Sequence, residues 1–98
     1  MFEVRQTKQF RNWLEELRDP IAVKAIKRRI ARIQIGLFGD AKLVGHSVHE
    51  LRVDFGPGYR VYFVRRDQEL ILLLCGGDKS SQARDIANAL ALADEWTE

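Results

Sequence analysis

Apolar side chains recur at helical spacing in two consecutive segments of the first third of the chain. The first stripe consists of Phe10, Trp13, Leu14 and Leu17. The second consists of Ala22, Ile26, Ile30, Ile33 and Leu37. Thr7 precedes the first stripe and Asp19-Pro20 precedes the second, which is typical of helix starts because these side chains accept hydrogen bonds from free amides. The pattern predicts two helices that form an antiparallel hairpin, with Gly36 or Gly39 ending the second.

Elsewhere the apolar spacing changes to two, which is typical of strands. Phe2 and Val4 predict a short first strand, and a second begins at Val48, with its polar positions on one wet face. Residues 55–58 form a turn into a strand at 59–64, and the run 70–75 is apolar on both faces, as expected inside a sheet. Residues 82–96 again show helical spacing. The predicted order is βααβββα, an α+β fold with an antiparallel sheet, an N-terminal helical hairpin and a C-terminal helix.

Length and composition place this chain among ordinary globular domains. The 98 residues correspond to a single domain, 1–98, and the 46% hydrophobic and 31% charged content excludes a disordered chain. Cys75 is the single cysteine, so it cannot form an intramolecular disulfide. We see neither a secretory leader nor the roughly 18 apolar residues of a membrane span. These features predict a cytoplasmic protein that does not associate with a membrane.

The charges are unevenly distributed, although the net charge is only +2. Cations cluster in the second predicted helix, where Lys24, Lys27, Arg28 and Arg32 are candidates for an exposed basic face. After Arg84 the chain carries acidic residues and no basic ones. The basic face is either a solvated helix surface or a surface for ribosomal RNA, because several cations release counterions from a phosphate backbone.

Two glycine-containing segments give the clearest resemblance to a known family. With Leu51-Arg52 and the predicted element order, the segments GPGYRVYF at 56–63 and GGDKSSQ at 76–82 resemble the RelE/ParE toxin superfamily of bacterial toxin–antitoxin modules. Within that superfamily, the chain is similar to the HigB-like, phage-derived addiction module killer proteins. The resemblance covers essentially the whole chain, so it implies the RelE-like version of the predicted fold.

The resemblance also implies a function and partners. Such a toxin enters the ribosomal A site and cuts mRNA without a metal ion or another cofactor, using basic and polar side chains on the concave face of the sheet. Its partners are the ribosome, mRNA and a cognate antitoxin, which in this branch is often a helix-turn-helix DNA-binding protein. Some relatives instead poison DNA gyrase. A non-catalytic binding module with the same fold is a further alternative.

Matching the family motifs position by position selects Arg60, Lys79 and Arg52 as catalytic candidates. Cations can offset the charge that grows on a phosphate during RNA cleavage. Glu50 occupies a neighbouring position that is basic in the family, and residues 84–98 contain no counterpart of the tyrosine that is catalytic in some members. The alternative for Arg60 is a structural ion pair with Asp54 or Glu50. The strand pattern places Arg60 on the wet face, so its truncation is expected to cost little stability.

Three further side chains are candidates by chemical type. His49 and Glu50 can transfer protons, because an imidazole titrates near neutral pH and a carboxylate can act as a base. Tyr62 is either a base-stacking residue for RNA or a half-buried tyrosine of the sheet. His46 and His49 have no evident third ligand, so the spacing does not predict a metal site.

Overall fold

The computed structural model describes residues 1–96. That range contains five strands and three α-helices, and a 3₁₀ turn, Lys79–Ser81, precedes the last helix. The elements are β1 Glu3–Gln6, α1 Lys8–Glu16, α2 Pro20–Gln34, β2 Ala41–Gly45, β3 Val48–Val53, β4 Tyr59–Arg66, β5 Leu70–Gly77 and α3 Gln82–Glu95.

All five strands form one sheet in the order β1-β5-β4-β3-β2. The predicted α+β class is confirmed, and β5 lies inside the sheet as its apolar run indicated. The predicted antiparallel pairing is present from β2 to β5, whereas β1 pairs parallel with β5. The predicted element order also lacked β2, which pairs antiparallel with β3 at the sheet edge. The observed order is therefore βααββββα.

Helices cover both faces of the sheet. On one face, Phe10 of α1 and Ile26 and Ile33 of α2 pack against a core formed by side chains of β3, β4 and β5. On the opposite face, α3 packs Ala89 against a second core cluster that includes Tyr62 and Leu74. Because successive strand residues point to opposite faces, each central strand supplies side chains to both clusters.

The helix boundaries follow the capping side chains that the sequence indicated. The Thr7 hydroxyl accepts a hydrogen bond from the Phe10 amide at 3.0 Å. Asp19 Oδ1 accepts one from the Ile21 amide at 2.9 Å, directly before Pro20. After α2, Gly36 and Gly39 adopt positive φ angles of 89° and 63°. None of the helices in residues 1–96 combines the length and hydrophobicity needed to cross a membrane.

Candidate functional site

The polar positions of β3 and β4 meet on the face of the sheet that α3 covers. Glu50 lies directly opposite Tyr62 across the two strands, and Arg52 lies opposite Arg60. Since residues two apart on a strand share a face, these four side chains form one patch near the β3–β4 turn. The sheet register therefore brings together four of the residues selected from the sequence.

Glu50 is at the centre of a buried hydrogen-bonded network. Its side chain has 0% exposure. Glu50 Oε2 accepts hydrogen bonds from the Tyr62 hydroxyl and from Gln82 Nε2, each at 2.9 Å. The prediction that Glu50 lies on a wet face is wrong, because the start of α3, where Gln82 lies, covers this part of the strand.

Tyr62 is part of the same buried network. Its relative exposure is 0%, and the ring packs in the core cluster beneath α3. Burial, followed by the hydrogen bond to Glu50, raises the pKa of the Tyr62 hydroxyl well above its usual range. The expectation that Tyr62 stacks on an RNA base is corrected by this placement, because the ring has no free surface. Tyr62 belongs to the sheet core, which was the alternative interpretation.

Arg60 is also more buried than its strand pattern indicated. The side chain is 8% exposed, and its Nε lies 3.7 Å from Glu50 Oε2. Arg60 Nη1 donates a hydrogen bond to the Gly58 carbonyl at 2.6 Å. The wet-face prediction for Arg60 is therefore wrong, and the ion pair with Glu50 is present. Neither Arg60 Nε nor Glu50 Oε1 has a hydrogen-bond partner within residues 1–96.

A shallow groove of about 210 Å³ opens beside this network. Its lining residues come from β3, β4, the turn between them and the segment before β2, and they are Asp40, Arg52, Val53, Asp54, Gly58, Tyr59 and Arg60. Arg52 is 45% exposed, and its Nε lies 3.5 Å from Asp40 Oδ1. Two guanidinium groups thus reach the same groove, one from an exposed side chain and one from a buried side chain.

Lys79 lies next to Arg60 through the β3–β4 turn. The Lys79 amide donates a hydrogen bond to the Pro57 carbonyl at 3.4 Å. A Cβ at Gly58 would lie 3.2 Å from Arg60 Nη1 and 3.6 Å from Lys79 Cβ, and Gly58 has a φ of +80°. Glycine at this turn therefore allows both cationic residues to approach the same backbone position. Lys79 itself is exposed.

The turn that carries Lys79 is held by Asp78. Asp78 Oδ1 accepts a hydrogen bond from the Ser80 amide at 2.8 Å, and a capping box joins Asp78 to Ser81. Hydrogen bonds from the Ser80 side chain and amide hold the pKa of Asp78 below its usual range. Asp78 therefore caps this turn, so the family motif that contains Lys79 also has a structural role.

The paired glycines at the end of β5 permit close packing on both faces of the sheet. A Cβ at Gly76 would lie 2.4 Å from the Trp13 ring, and one at Gly77 would lie 1.8 Å from Asp85 Oδ2. The Ser81 hydroxyl donates a hydrogen bond to the same carboxylate. The absence of a side chain at these two consecutive glycines therefore permits close packing on opposite faces of the sheet.

Cys75 and His49 lie outside the groove. Burial, and the nearby Asp85 charge, raise the pKa of the Cys75 thiol to about 12, so it stays protonated at neutral pH. His49 occupies the helix-hairpin face of β3, where its ring stacks on Phe63 with centroids 5.3 Å apart. Burial lowers the pKa of His49. The structure therefore does not bring His49 together with Arg52 and Arg60, and its catalytic role stays a prediction.

The cations of α2 lie on the layer that covers the other face of the sheet. Lys24, Lys27, Arg28 and Arg32 are all exposed. Their neighbour Arg29 differs, because its guanidinium donates to the Arg52 carbonyl at 2.6 Å and to the Phe38 carbonyl at 3.2 Å. The four exposed residues thus form a basic face, whose binding of RNA stays a prediction. In the described part of the chain, no group of three or more His, Cys, Asp or Glu side chains could hold a metal ion.

Sequence reasoning did not select Asp54, Asp40 or Tyr59, which all line the groove. Asp54 could have been found from the alternation on β3, since it shares the polar phase of Glu50 and Arg52. Asp40 precedes the unpredicted strand β2, so no pattern placed it near Arg52. Tyr59 shares the apolar phase of β4 and reaches the groove because it is the first residue of that strand.

Comparison with known proteins gives a sequence relative and structural neighbours. No protein-family model matches the chain. An uncharacterized protein of Haemophilus influenzae is 46% identical over 93 residues, which cover 95% of this chain and 94% of the relative. The chain belongs to the family of this Haemophilus protein.

Solved structures with a similar backbone show the fold of this chain. The crystal structure of YafQ from E. coli strain BL21(DE3) aligns with a TM-score of 0.59 and 11% identity, covering 84% of this chain and 98% of YafQ. The solution structure of HP0894 from Helicobacter pylori aligns with a TM-score of 0.51 and 20% identity, covering 82% of this chain and 97% of HP0894. The chain therefore has the mixed α+β fold of YafQ, which confirms the predicted fold class.

Proposed function

We propose that this protein is the toxin of a type II toxin–antitoxin module and that it cleaves mRNA on the ribosome without a metal ion. The observation that carries the proposal is the meeting of Arg52, Arg60 and Lys79 at one end of a RelE-like sheet. Arg52 and Arg60 are cross-strand partners, and Gly58 allows Lys79 to lie beside Arg60. These are the positions that the family motifs select, and cationic groups are what a phosphate substrate requires.

The chemistry required at this groove is the attack of a ribose 2′-hydroxyl on the adjacent phosphate. A base must take the hydroxyl proton, cations must offset the charge on the phosphate, and an acid must protonate the leaving 5′-oxygen. Arg52 can hold two phosphate oxygens with its planar guanidinium, whereas Lys79 supplies a compact charge. Arg60, which lines the same groove and is largely buried, adds a further cation. Asp54 and Tyr59 are groove-lining groups that can exchange a proton.

The basic face of α2 would supply affinity rather than chemistry. Its four exposed cations are suited to ribosomal RNA, because each phosphate contact releases counterions and strengthens binding irrespective of sequence. Such a toxin works in the cytoplasm, where the ribosome is its partner. A cognate antitoxin, expected to be a helix-turn-helix protein, would silence it.

The test is induced expression followed by mapping of mRNA ends, with purified ribosomes as the second assay. We expect cuts positioned by the reading frame. Removing one preorganised cation should slow cleavage about a hundredfold, so Lys79→Ala and Arg52→Ala should relieve growth arrest. Arg84→Ala removes an exposed cation from α3 and serves as the matched control. The proposal would be contradicted if the wild-type protein arrested growth without cutting mRNA. Full cleavage by both groove variants, with unchanged melting temperatures, would also contradict it.

A second candidate function is a ParE-type poison of DNA gyrase that performs no chemistry itself. The observation that favours it is that the groove-lining residues include no histidine, while Glu50 and Tyr62 are buried. A supercoiling assay on the same cells separates the two functions. Inhibited supercoiling with intact mRNA would identify the gyrase poison, whereas frame-dependent cuts with normal supercoiling would identify the nuclease.

A further inference from the structure

Glu50 is a carboxylate in an unusual position, fully buried within a sheet next to a proposed active site. Two donors, Tyr62 and Gln82, both bind the same oxygen, Oε2. The other oxygen has no hydrogen-bond partner in residues 1–96. Burying a charge in this way is costly unless an opposite charge compensates it. The cation next to Glu50 is Arg60, at 3.7 Å.

We propose that Glu50 is a positioning residue that orients the guanidinium of Arg60 toward the groove. The proposal rests on the proposed function, because it assigns Glu50 a part in phosphate recognition at that site. It replaces the earlier interpretation of Glu50 as a general acid or base. With 0% exposure, the carboxylate has no surface with which to touch a phosphate or a ribose.

The geometry fixes Arg60 from two sides. Its Nε edge faces the Glu50 carboxylate, and Nη1 is held by the Gly58 carbonyl at 2.6 Å. Because a guanidinium is planar, constraints at Nε and Nη1 set the direction of the remaining nitrogen, Nη2. Nε has no hydrogen-bond partner within residues 1–96 and contacts Glu50 as an ion pair, so we assign Nη2, the nitrogen outside both contacts, to a groove ligand.

The same network fixes Glu50 itself. Tyr62 approaches the carboxylate from β4 and Gln82 approaches it from the first position of α3, so three elements determine where its charge lies. A catalytic cation such as Arg60 needs a rigid partner such as Glu50 to hold it in place. Moving a catalytic group by about 1 Å can slow a reaction up to a hundredfold. Gln82 is therefore the residue through which α3 contributes to the site.

The test compares Glu50→Gln with Tyr62→Phe. Both variants alter the buried network, but Glu50→Gln alone removes the charge that faces Arg60. Cleavage on purified ribosomes is measured across ribosome concentrations to separate kcat from KM. We expect Glu50→Gln to lower kcat about tenfold to a hundredfold with a small change in KM. Tyr62→Phe removes one of the two donors that hold Glu50 but keeps its charge, so it should lower kcat by a clearly smaller factor. In an Arg60→Met background, Glu50→Gln should produce no further loss.

Arginine NMR gives a readout that does not depend on activity. The Arg60 Nε–H signal is assigned by its absence from Arg60→Met, and its hydrogen exchange is then measured in the other proteins. Slow exchange in the wild type, at least about tenfold faster exchange in Glu50→Gln and a clearly smaller increase in Tyr62→Phe would support the proposal. Unchanged exchange in Glu50→Gln, or equal effects of Glu50→Gln and Tyr62→Phe, would overturn it. If wild-type protein cuts no RNA, the nuclease proposal fails, and the exchange rates still decide whether Glu50 holds Arg60.

Discussion

Two arginines that face each other across β3 and β4 illustrate how strongly surroundings decide the role of a residue. Arg52 is 45% exposed and contacts the exposed carboxylate of Asp40. Arg60 is 8% exposed and contacts a carboxylate with no exposure at all. An exposed ion pair contributes about 0 to 1 kcal/mol, because water screens it, whereas breaking a buried pair leaves a charge uncompensated.

We therefore expect stability effects of very different size from truncating the two arginines. Arg60→Ala should lower the free energy of unfolding by about 3 kcal/mol or more, since it leaves Glu50 buried without a cation. Arg52→Ala should lower it by about 0.5 kcal/mol at most. Urea unfolding followed by circular dichroism measures both values. Adding Glu50→Gln to Arg60→Ala should restore part of the loss, and equal stabilities of the two alanine variants would refute the expectation.

Only part of the site could be predicted from the sequence. The alternation of residues predicts which face of the sheet a side chain occupies, but it does not predict whether that face is buried. The alternation on β3 and β4 placed Arg52 and Arg60 on one face, which the register confirms. Their different exposure depends on α3, whose first residue, Gln82, reaches Glu50 from 32 positions away in the chain. The alternation of polar and apolar residues along a strand cannot distinguish a solvent-exposed face from one that is covered by a helix distant in sequence. The position of His49, by contrast, was predictable, because alternation along β3 places it on the face opposite to Glu50 and Arg52.

At the level of elements, the start of α2 depends on one side chain. Asp19 accepts hydrogen bonds from the amides of Ile21 and Ala22, at 2.9 and 3.4 Å. Pro20 follows at the first helical position, where a missing amide hydrogen does no harm. The first turn of α2 is therefore set locally, and Ile26 and Ile33 then anchor the helix in the core.

Asp19→Ala should destabilise the protein by about 1 kcal/mol, because two amides lose their acceptor. Asp19→Asn is the matched control, since it keeps the side-chain oxygen and should stay within a few tenths of a kcal/mol of the wild type. Thermal and urea unfolding of the three proteins provide the measurement. A loss in Asp19→Asn as large as in Asp19→Ala would show that charge, and not capping, is responsible.

The same local logic explains which elements were predictable. Both hairpin helices carry their own caps and apolar stripes, so local sequence was sufficient to locate them. β2 carries no such signal, because Ala41, Lys42 and Gly45 make up most of it and favour strands weakly. Its strand conformation comes from pairing with β3. The parallel direction of β1 is likewise set by its pairing with β5, from which α1, α2 and the strands β2 to β4 separate it in sequence.

On the scale of the whole molecule, the sheet separates two sets of surfaces. The hairpin face carries the basic residues of α2, while the α3 face carries the Glu50–Arg60 network. His49 lies on the hairpin face, stacked on Phe63, and burial lowers its pKa. Its Nδ1 has no hydrogen-bond partner within residues 1–96, so the folded state favours the neutral ring.

Stability should therefore decrease as the pH falls. Above the ordinary histidine pKa of about 6.5, His49 is neutral in the folded and the unfolded state, so it does not make the free energy of unfolding depend on pH. Below that pH the unfolded chain binds a proton that the folded protein does not, so the free energy of unfolding declines until the pH reaches the lowered pKa of the folded state. The free energies of unfolding at pH 7.5 and pH 5 give the measurement.

His49→Phe should show a smaller decrease than the wild type over the same pH range, because it keeps a ring on Phe63 without the titration. His46 is exposed and has a φ of 46°, which asparagine tolerates, so His46→Asn is the control and should keep the wild-type decrease. The expectation is wrong if His49→Phe and wild type lose stability equally.

The glycine pair that ends β5 also has a consequence for related sequences. Position 77 lacks the space for a side chain while Asp85 is present, and position 76 lacks it while Trp13 is present. A related chain that keeps this packing but has a larger residue at position 77 must carry a smaller one at position 85. Likewise, a larger residue at position 76 requires a smaller one at position 13. These two pairs should therefore covary among homologues, even though they link different faces of the sheet, and each pair would act as a separate constraint on sequence divergence.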